Sequence, residues 1–150
     1  MRTTKASLET SASVYHSRIV KGWESLYRKK RYHLYVRLKK SFRGNSVLEM
    51  GCADGEMTRW LAADFRKVTV VDGSERFVNE ARARISASNV RFDVSLFEAY
   101  EPKARFDAII MAHILEHLDE PVALLRRASA WLKKNGRIFI AVPNARSMHR

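Results

Sequence analysis

The stretch VLEMGCADGEMTRWLAADFRKVTVVD, residues 47–72, decides the architecture. Residues 47–50 read as a short buried strand, apolar but for Glu49. Residues 51–55 read as a turn, and residues 56–65 as a helix with Met57, Trp60 and Leu61 recurring at helical spacing. Residues 68–71 read as a second strand, closed by Asp72. Gly51 ends the first strand and Gly55 lies just before or within the first helical turn. Glycine takes positive φ and lets a ligand approach the backbone closely, while the first N–H groups of a helix are free to meet ligand oxygens. A carboxylate at Asp72 is placed to accept both hydroxyls of a ribose. The segment therefore predicts a nucleotide-type cofactor site.

Outward from that unit, strands and helices keep alternating. Ser74 is positioned to cap a helix reaching about residue 87, with Phe77, Val78, Ala81 and Ile85 on one side. Val90, Phe92 and Val94 alternate as a third strand, and residues 106–112 form a fourth. Pro121 suits the first turn of a helix carrying Val122, Leu125, Ala128, Ser129 and Leu132. Gly136 reads as the residue ending that helix, and residues 137–142 as a fifth strand stopped at Pro143. This alternation predicts an α/β, Rossmann-like fold: a mostly parallel sheet of five strands with helices on both faces. Ligands of such sheets sit outside the carboxyl ends of the strands, where the strand order reverses. The turns at 51–55, 72–74, 93–98 and 112–119 all belong to that edge.

Upstream, residues 1–12 read as frayed and residues 14–40 as one or two basic helices. Val14, Ile19, Val20, Trp23, Leu26 and Tyr27 supply an irregular stripe weakened by Gly22, and residues 41–46 are a turn. The net charge of +12 is concentrated here: residues 1–43 hold 12 Lys/Arg and two Glu, whereas residues 44–150 hold 16 Lys/Arg and 14 Asp/Glu. Residues 28–43, RKKRYHLYVRLKKSFR, carry eight basic residues and no acid. They read as a solvated helix face, as a phosphate contact with Tyr27, Tyr32 and Tyr35 available for stacking, or as a contact with an anionic substrate or membrane. The expected organisation is a basic helical extension or lid over 1–43 and a core over 44–150.

With 150 residues the chain suits one domain, and no apolar run approaches the length of a membrane span. The start is basic and hydroxyl-rich but contains Glu9 and lacks a signal peptide's apolar stretch. One cysteine, Cys52, excludes an intramolecular disulfide and fits a reducing compartment, so a cytoplasmic location is expected. The turn itself is neither G-x-G-x-x-G nor a P-loop. Glu49 and Asp54 beside it would repel a pyrophosphate, which favours a cofactor that is neutral or cationic at that point.

Four segments in order resemble the class I S-adenosylmethionine-dependent methyltransferases of the small-molecule type. They are Glu49-Met50-Gly51-Cys52-Ala53-Asp54-Gly55, Asp72 in VTVVDGS, FDAIIMAHILEHLDEP at 106–121, and LKKNGRIFIAVPNARSMHR at 132–150. The resemblance implies an enzyme that binds S-adenosyl-L-methionine and releases S-adenosyl-L-homocysteine. Glu49 and Gly51 would line the methionine part, with Cys52, Ala53 and Gly55 completing the turn. Asp72 would hold the ribose, Gly73 and Ser74 would border the adenine, Ser95 and Leu96 would pass its edge, and His113 would lie over the cofactor. Two departures stand out. Ala53 replaces a common third glycine, and Leu96 stands where many members carry an acid that reads the adenine amino group, leaving that task to Asp93 or to backbone groups.

The sequence HILEH at 113–117 also matches the inverted zincin pattern, but His113 follows an apolar strand directly and the next helix begins near Pro121, so a metal site is not expected. Under the resemblance, His117 is the candidate base and His113 a cofactor or substrate contact; a purely loop-shaping role for both is the alternative. The expected reaction is methyl transfer to oxygen or nitrogen of a small-molecule acceptor, an anionic one if the basic helices form the lid. The alternatives are an RNA-directed methyltransferase and a non-catalytic or partner-dependent methyltransferase-like subunit. Family members usually continue beyond a fifth strand with another helix and two strands. The chain is therefore expected to be a fragment of a longer enzyme, to dimerise over its strand-five edge, or to need a partner subunit there.

Overall fold

The computed structural model describes residues 24–144. The frayed start and the stripe residues Val14, Ile19, Val20 and Trp23 lie outside the described residues, as do residues 145–150. Helix α1 (Glu24–Lys39) is followed by β1 (Ser46–Met50), α2 (Glu56–Asp64), β2 (Lys67–Asp72), α3 (Glu75–Arg84), β3 (Val90–Val94) and β4 (Phe106–Ala112). A short 3-10 turn (Leu115–His117), α4 (Pro121–Ala130) and β5 (Leu132–Ala141) complete the order. Every strand pairing is parallel, in the order β3-β2-β1-β4-β5. The chain lays β1, β2 and β3 outward to one side and then returns to place β4 on the other side of β1. The strand order reverses between β1 and β4, and their carboxyl ends open the crevice.

The central strands explain themselves by burial. All five residues of β1 are buried, and Ala108, Ile109, Ile110 and Met111 of β4 are at most 1% exposed. Alternate side chains feed two cores. Val47, Val68, Val70, Ala108 and Ile110 meet Tyr35 of α1, Met57 and Leu61 of α2, and Val78 and Ala81 of α3. Leu48, Met50, Val71, Ile109 and Met111 meet Leu124 and Ala128 of α4 together with Tyr100 and Trp131. Helices thus cover both faces, as a parallel sheet requires.

Helix α1 docks through residues 31, 35 and 38, an i, i+4, i+7 stripe, and the turn that follows it adds Phe42. Tyr35 packs on Trp60 and Phe42, and Phe42 on Phe65 and Phe139. Tyr35 Oη donates a short hydrogen bond to Asp64, and Lys39 Nζ reaches the other Asp64 oxygen at 2.6 Å. Burial, with the neighbouring carboxylate, pushes the Tyr35 phenol up to about 12.

Helix α3 is capped as expected, Ser74 Oγ accepting from the Phe77 N–H at 3.3 Å, but it ends at Arg84 rather than near residue 87. The last helix departs further. It closes at Ala130, Val122 is 56% exposed, and the buried stripe runs through Leu124, Ala128 and Trp131 instead. Leu132 belongs to β5, where it pairs with Phe106. The register shifts between Phe106 and Ala108, and the positive φ falls on Asn135, at 66°, not on Gly136. Gly136 is required for space: a Cβ there would lie 2.9 Å from the Phe106 carbonyl oxygen. The bulge lets β5 begin beside β4 sooner than the pattern from residue 137 predicts.

Candidate functional site

All four predicted turns gather at the carboxyl edge. The first carries three positive φ angles, 79° at Gly51, 46° at Ala53 and 80° at Gly55. Ala53 is the departure noted in the sequence, and it adopts the left-handed conformation despite its methyl, which costs an L-residue about 1–2 kcal/mol. Gly51 N–H is fixed to the Val71 carbonyl at 2.8 Å and Gly55 N–H to the Cys52 carbonyl at 2.8 Å. Gly55 leaves no room for a side chain, since a Cβ would lie 3.0 Å from that of Ala81.

Asp72 ends β2 and is 7% exposed. One oxygen accepts from Cys52 N–H and the other from Ser74 N–H, both at 2.9 Å. The same carboxylate therefore ties the glycine turn to the start of α3. Burial raises its pKa, opposed by those N–H donors. Glu49 is 2% exposed and accepts from the Thr58 hydroxyl at 2.6 Å. Burial pushes Glu49 up to about 8, against the Thr58 hydrogen bond and with help from Asp72 and Asp54. Neither acid has an ion pair among the described residues. Cys52 lies between them, 3% exposed, and its thiol is pushed up by burial and by the two carboxylates.

Asp54 is bound differently. Arg31 of α1 grips both its oxygens at 2.5 and 2.8 Å, and Arg84 donates to its carbonyl at 3.2 Å. The sequence placed Arg31 only within a basic run. Its link to the turn was hidden because the two residues are 23 positions apart; the signal was the 31/35/38 stripe, which makes Arg31 face the body.

The other turns close on the first. Ser95 N–H donates to the Asp72 carbonyl at 3.0 Å, so the segment after β3 starts beside Asp72. Asp93 turns away to Arg91 at 2.9 Å and to the Tyr100 hydroxyl at 3.2 Å. Leu96 accepts from Ala99 N–H at 3.1 Å, forming a turn that carries Phe97. A Cβ built on Gly51 would meet Ile114 at 3.3 Å and Phe97 at 3.8 Å. The loops after β3 and β4 thus both reach Gly51, the first through Phe97 and the second through Ile114.

His113 leaves β4 with a φ of 58° and anchors its N–H to Ala141 at 2.8 Å. Its Nδ1 stands 3.4 Å from Glu116, and its side chain is 52% exposed. His117 is exposed at the end of the 3-10 turn, its N–H held by Ile114 at 2.9 Å. The two histidines do not share an α-helical face, and the described residues hold no group of three metal-ligating side chains.

Residues 23–150 match the family described as methyltransferase domain. A ubiquinone biosynthesis O-methyltransferase of Xanthomonas campestris pv. campestris (strain B100) is 30% identical over 114 residues, 73% of this chain and 48% of that protein. The chain thus spans about half the length of the curated relatives it matches. A crystal structure of coclaurine N-methyltransferase, bound to N-methylheliamine and SAH, is 26% identical with a TM-score of 0.66, covering 75% of this chain and 35% of its own. A DhpI–SAM–HEP complex is 25% identical with a TM-score of 0.71, covering 93% and 64%.

Proposed function

The chain belongs to the methyltransferase-domain family, and from that premise we propose that it binds S-adenosyl-L-methionine and serves methyl transfer to oxygen or nitrogen of a small-molecule acceptor. One observation carries the reading. Glu49 and Asp72 are buried acids at the ends of adjacent strands, raised by burial and without a paired cation among the described residues, beside a turn bent by three positive φ angles. Buried carboxylates are costly unless paired. A ligand offering a diol and a cationic amino acid supplies what they lack.

In this reading Asp72 keeps its two backbone donors and uses its remaining acceptor capacity for the ribose hydroxyls. Glu49 and Gly51 face the methionine part, with Cys52, Ala53 and Gly55 shaping the turn. Gly73, Ser74, Ser95 and Leu96 line the adenine side, where Asp93, already engaged with Arg91 and Tyr100, is the weaker candidate. His113 covers the crevice. S-adenosylmethionine supplies a methyl already made electrophilic by a cationic sulfur. The residues therefore align the acceptor and exclude water. His117, exposed and without a side-chain hydrogen bond among the described residues, takes the proton from the acceptor as its bond to the methyl forms and the sulfur–methyl bond breaks. Helix α1 belongs to the lid over the core of residues 44–150. A second copy or a partner subunit covers the edge of β5, where Ile140 and Val142 are 43% and 53% exposed. The lone buried thiol fits a cytoplasmic setting; among the described residues no helix is long and apolar enough to cross a membrane.

Calorimetry with S-adenosylmethionine and S-adenosylhomocysteine tests the cofactor assignment. Saturable binding by the native chain, strongly weakened in Asp72→Ala, is expected; a folded native chain that binds neither overturns it. For the base, His117→Gln should slow turnover about a hundredfold with unchanged cofactor affinity. An RNA acceptor is the second reading, supported by Lys29, Lys30 and Arg37 on α1 and Lys40 just after it, all exposed and without ion pairs among the described residues. RNA binding that weakens steeply with salt and is lost on charge reversal of these four would favour it.

A further inference from the structure

Arg127 lies on α4, away from the glycine turn, and the cofactor reading does not use it. Its Nη1 donates to the Phe97 carbonyl at 3.2 Å and the Glu98 carbonyl at 2.7 Å. Its Nη2 donates to the Tyr100 carbonyl at 2.7 Å and to Glu101 at 2.9 Å. The guanidinium carbon also sits 5.4 Å from the Trp131 ring centroid, and Tyr100 meets Trp131 edge-on at 5.8 Å. One side chain thus collects three carbonyls from four consecutive residues. Only a planar fork of several donors does this; an ammonium on a flexible stem cannot span them together.

The strapped loop is the one that begins at Ser95, hydrogen-bonded to Asp72, and sends Phe97 toward Gly51. The sequence departs from its family here, with Leu96 in place of the acid that reads the adenine amino group, and Asp93 is turned to Arg91 and Tyr100. Asp93 and Glu101 are engaged and Glu98 is exposed, while the groups this loop sets beside Asp72 and Gly51 belong to residues 95 and 97; backbone groups there discriminate only when their positions are fixed. Peptide carbonyls cluster unfavourably unless a cation neutralises their dipoles. Arg127 supplies that charge from behind the loop.

We propose that Arg127 is a positioning residue that holds the 95–101 loop in the arrangement that recognises the adenine end of the cofactor. The inference rests on the cofactor reading above. Arg127 touches neither cofactor nor acceptor; it acts through the carbonyls of residues 97, 98 and 100.

The test compares S-adenosylhomocysteine with S-inosylhomocysteine, which carries an oxygen in place of the adenine amino group, by calorimetry on the native chain and on Arg127→Lys and Arg127→Ala. The native chain is expected to prefer S-adenosylhomocysteine. Arg127→Ala should bind it about tenfold more weakly, with the preference between the two ligands collapsing toward unity. Arg127→Lys, which keeps the charge, should recover affinity only in part. The ratio is the deciding quantity, because a general loosening of the fold weakens both ligands alike. If Arg127→Ala does not fold, the ratio in Arg127→Lys decides. A native chain without preference, or a folded variant whose ratio equals the native one, overturns the role of Arg127. A native chain that binds neither ligand overturns the cofactor reading instead.

Discussion

The two edges of the sheet use the same side chain in opposite ways. At the amino edge, Asp107 accepts from Asn45 N–H at 3.0 Å, Ser46 N–H at 2.9 Å, Ser46 Oγ at 2.7 Å and Lys133 Nζ at 2.9 Å. Its partial burial alone would raise its pKa, yet Lys133 and these donors hold it well below the usual carboxylate range. A Cβ on Gly44 would collide with it, so the chain turns there through a φ of 81°. At the carboxyl edge, Asp72 and Glu49 are more deeply buried, have no paired cation among the described residues, and are raised. An acid that is fully satisfied stabilises the fold. An acid buried without a counter-charge is costly to the fold and available to a ligand.

That contrast can be broken at several points. The largest effect is expected at Asp72: Asp72→Ala should weaken S-adenosylhomocysteine binding about a hundredfold, the loss of roughly two hydrogen bonds to a charged acceptor. Asp107→Ala should do the reverse, lowering stability by about 2–3 kcal/mol in urea titration, because four donors lose their acceptor, with cofactor affinity within about twofold of native. Equal effects of both substitutions on binding would erase the distinction.

Glu49 sharpens it by pH. Its folded pKa of about 8 lies above its ordinary value of 4.5. The folded chain therefore keeps a proton that the unfolded chain releases. The resulting stability is complete below pH 4.5 and is lost as pH rises through about 8. Denaturation midpoints should fall over that window in the native chain and stay flatter in Glu49→Gln. A ligand ammonium beside Glu49 favours its ionised form, so binding at pH 6 should release a proton, read as a dependence of calorimetric heat on buffer. Asp107 has the opposite sign: its lowered pKa gives stability present above its ordinary 3.8 and lost as pH falls through the folded value. The smallest effect is Ala53→Gly, which relieves a positive φ of 46° and should raise stability by no more than about 1 kcal/mol, since glycine's extra unfolded-state entropy offsets part of the relief.

The sheet was legible because burial of both strand faces demands mostly apolar runs such as those at 47–50 and 106–112, each interrupted by a single acid, Glu49 and Asp107. The glycine turn and Asp72 were legible because their chemistry is local. Helix α4 was misread at its end for an identifiable reason. Leu132 continues a helical spacing, but its pairing with Phe106 across the sheet is worth more than another half-turn, and only the assembled β4 edge offers it. Arg31 and Arg127 were invisible as site residues because each meets its partners across more than 20 positions of sequence.

The sequence by itself determined the parallel α/β class, the turn at 51–55, the acids at the ends of the first two strands and the family. These depend on periodicity and on backbone conformations that few residue types permit. Tertiary structure decided what state those acids occupy. Whether a carboxylate is satisfied like Asp107, clamped like Asp54 or left waiting like Glu49 and Asp72 depends on which donors and cations fold around it, and on how much water that folding removes.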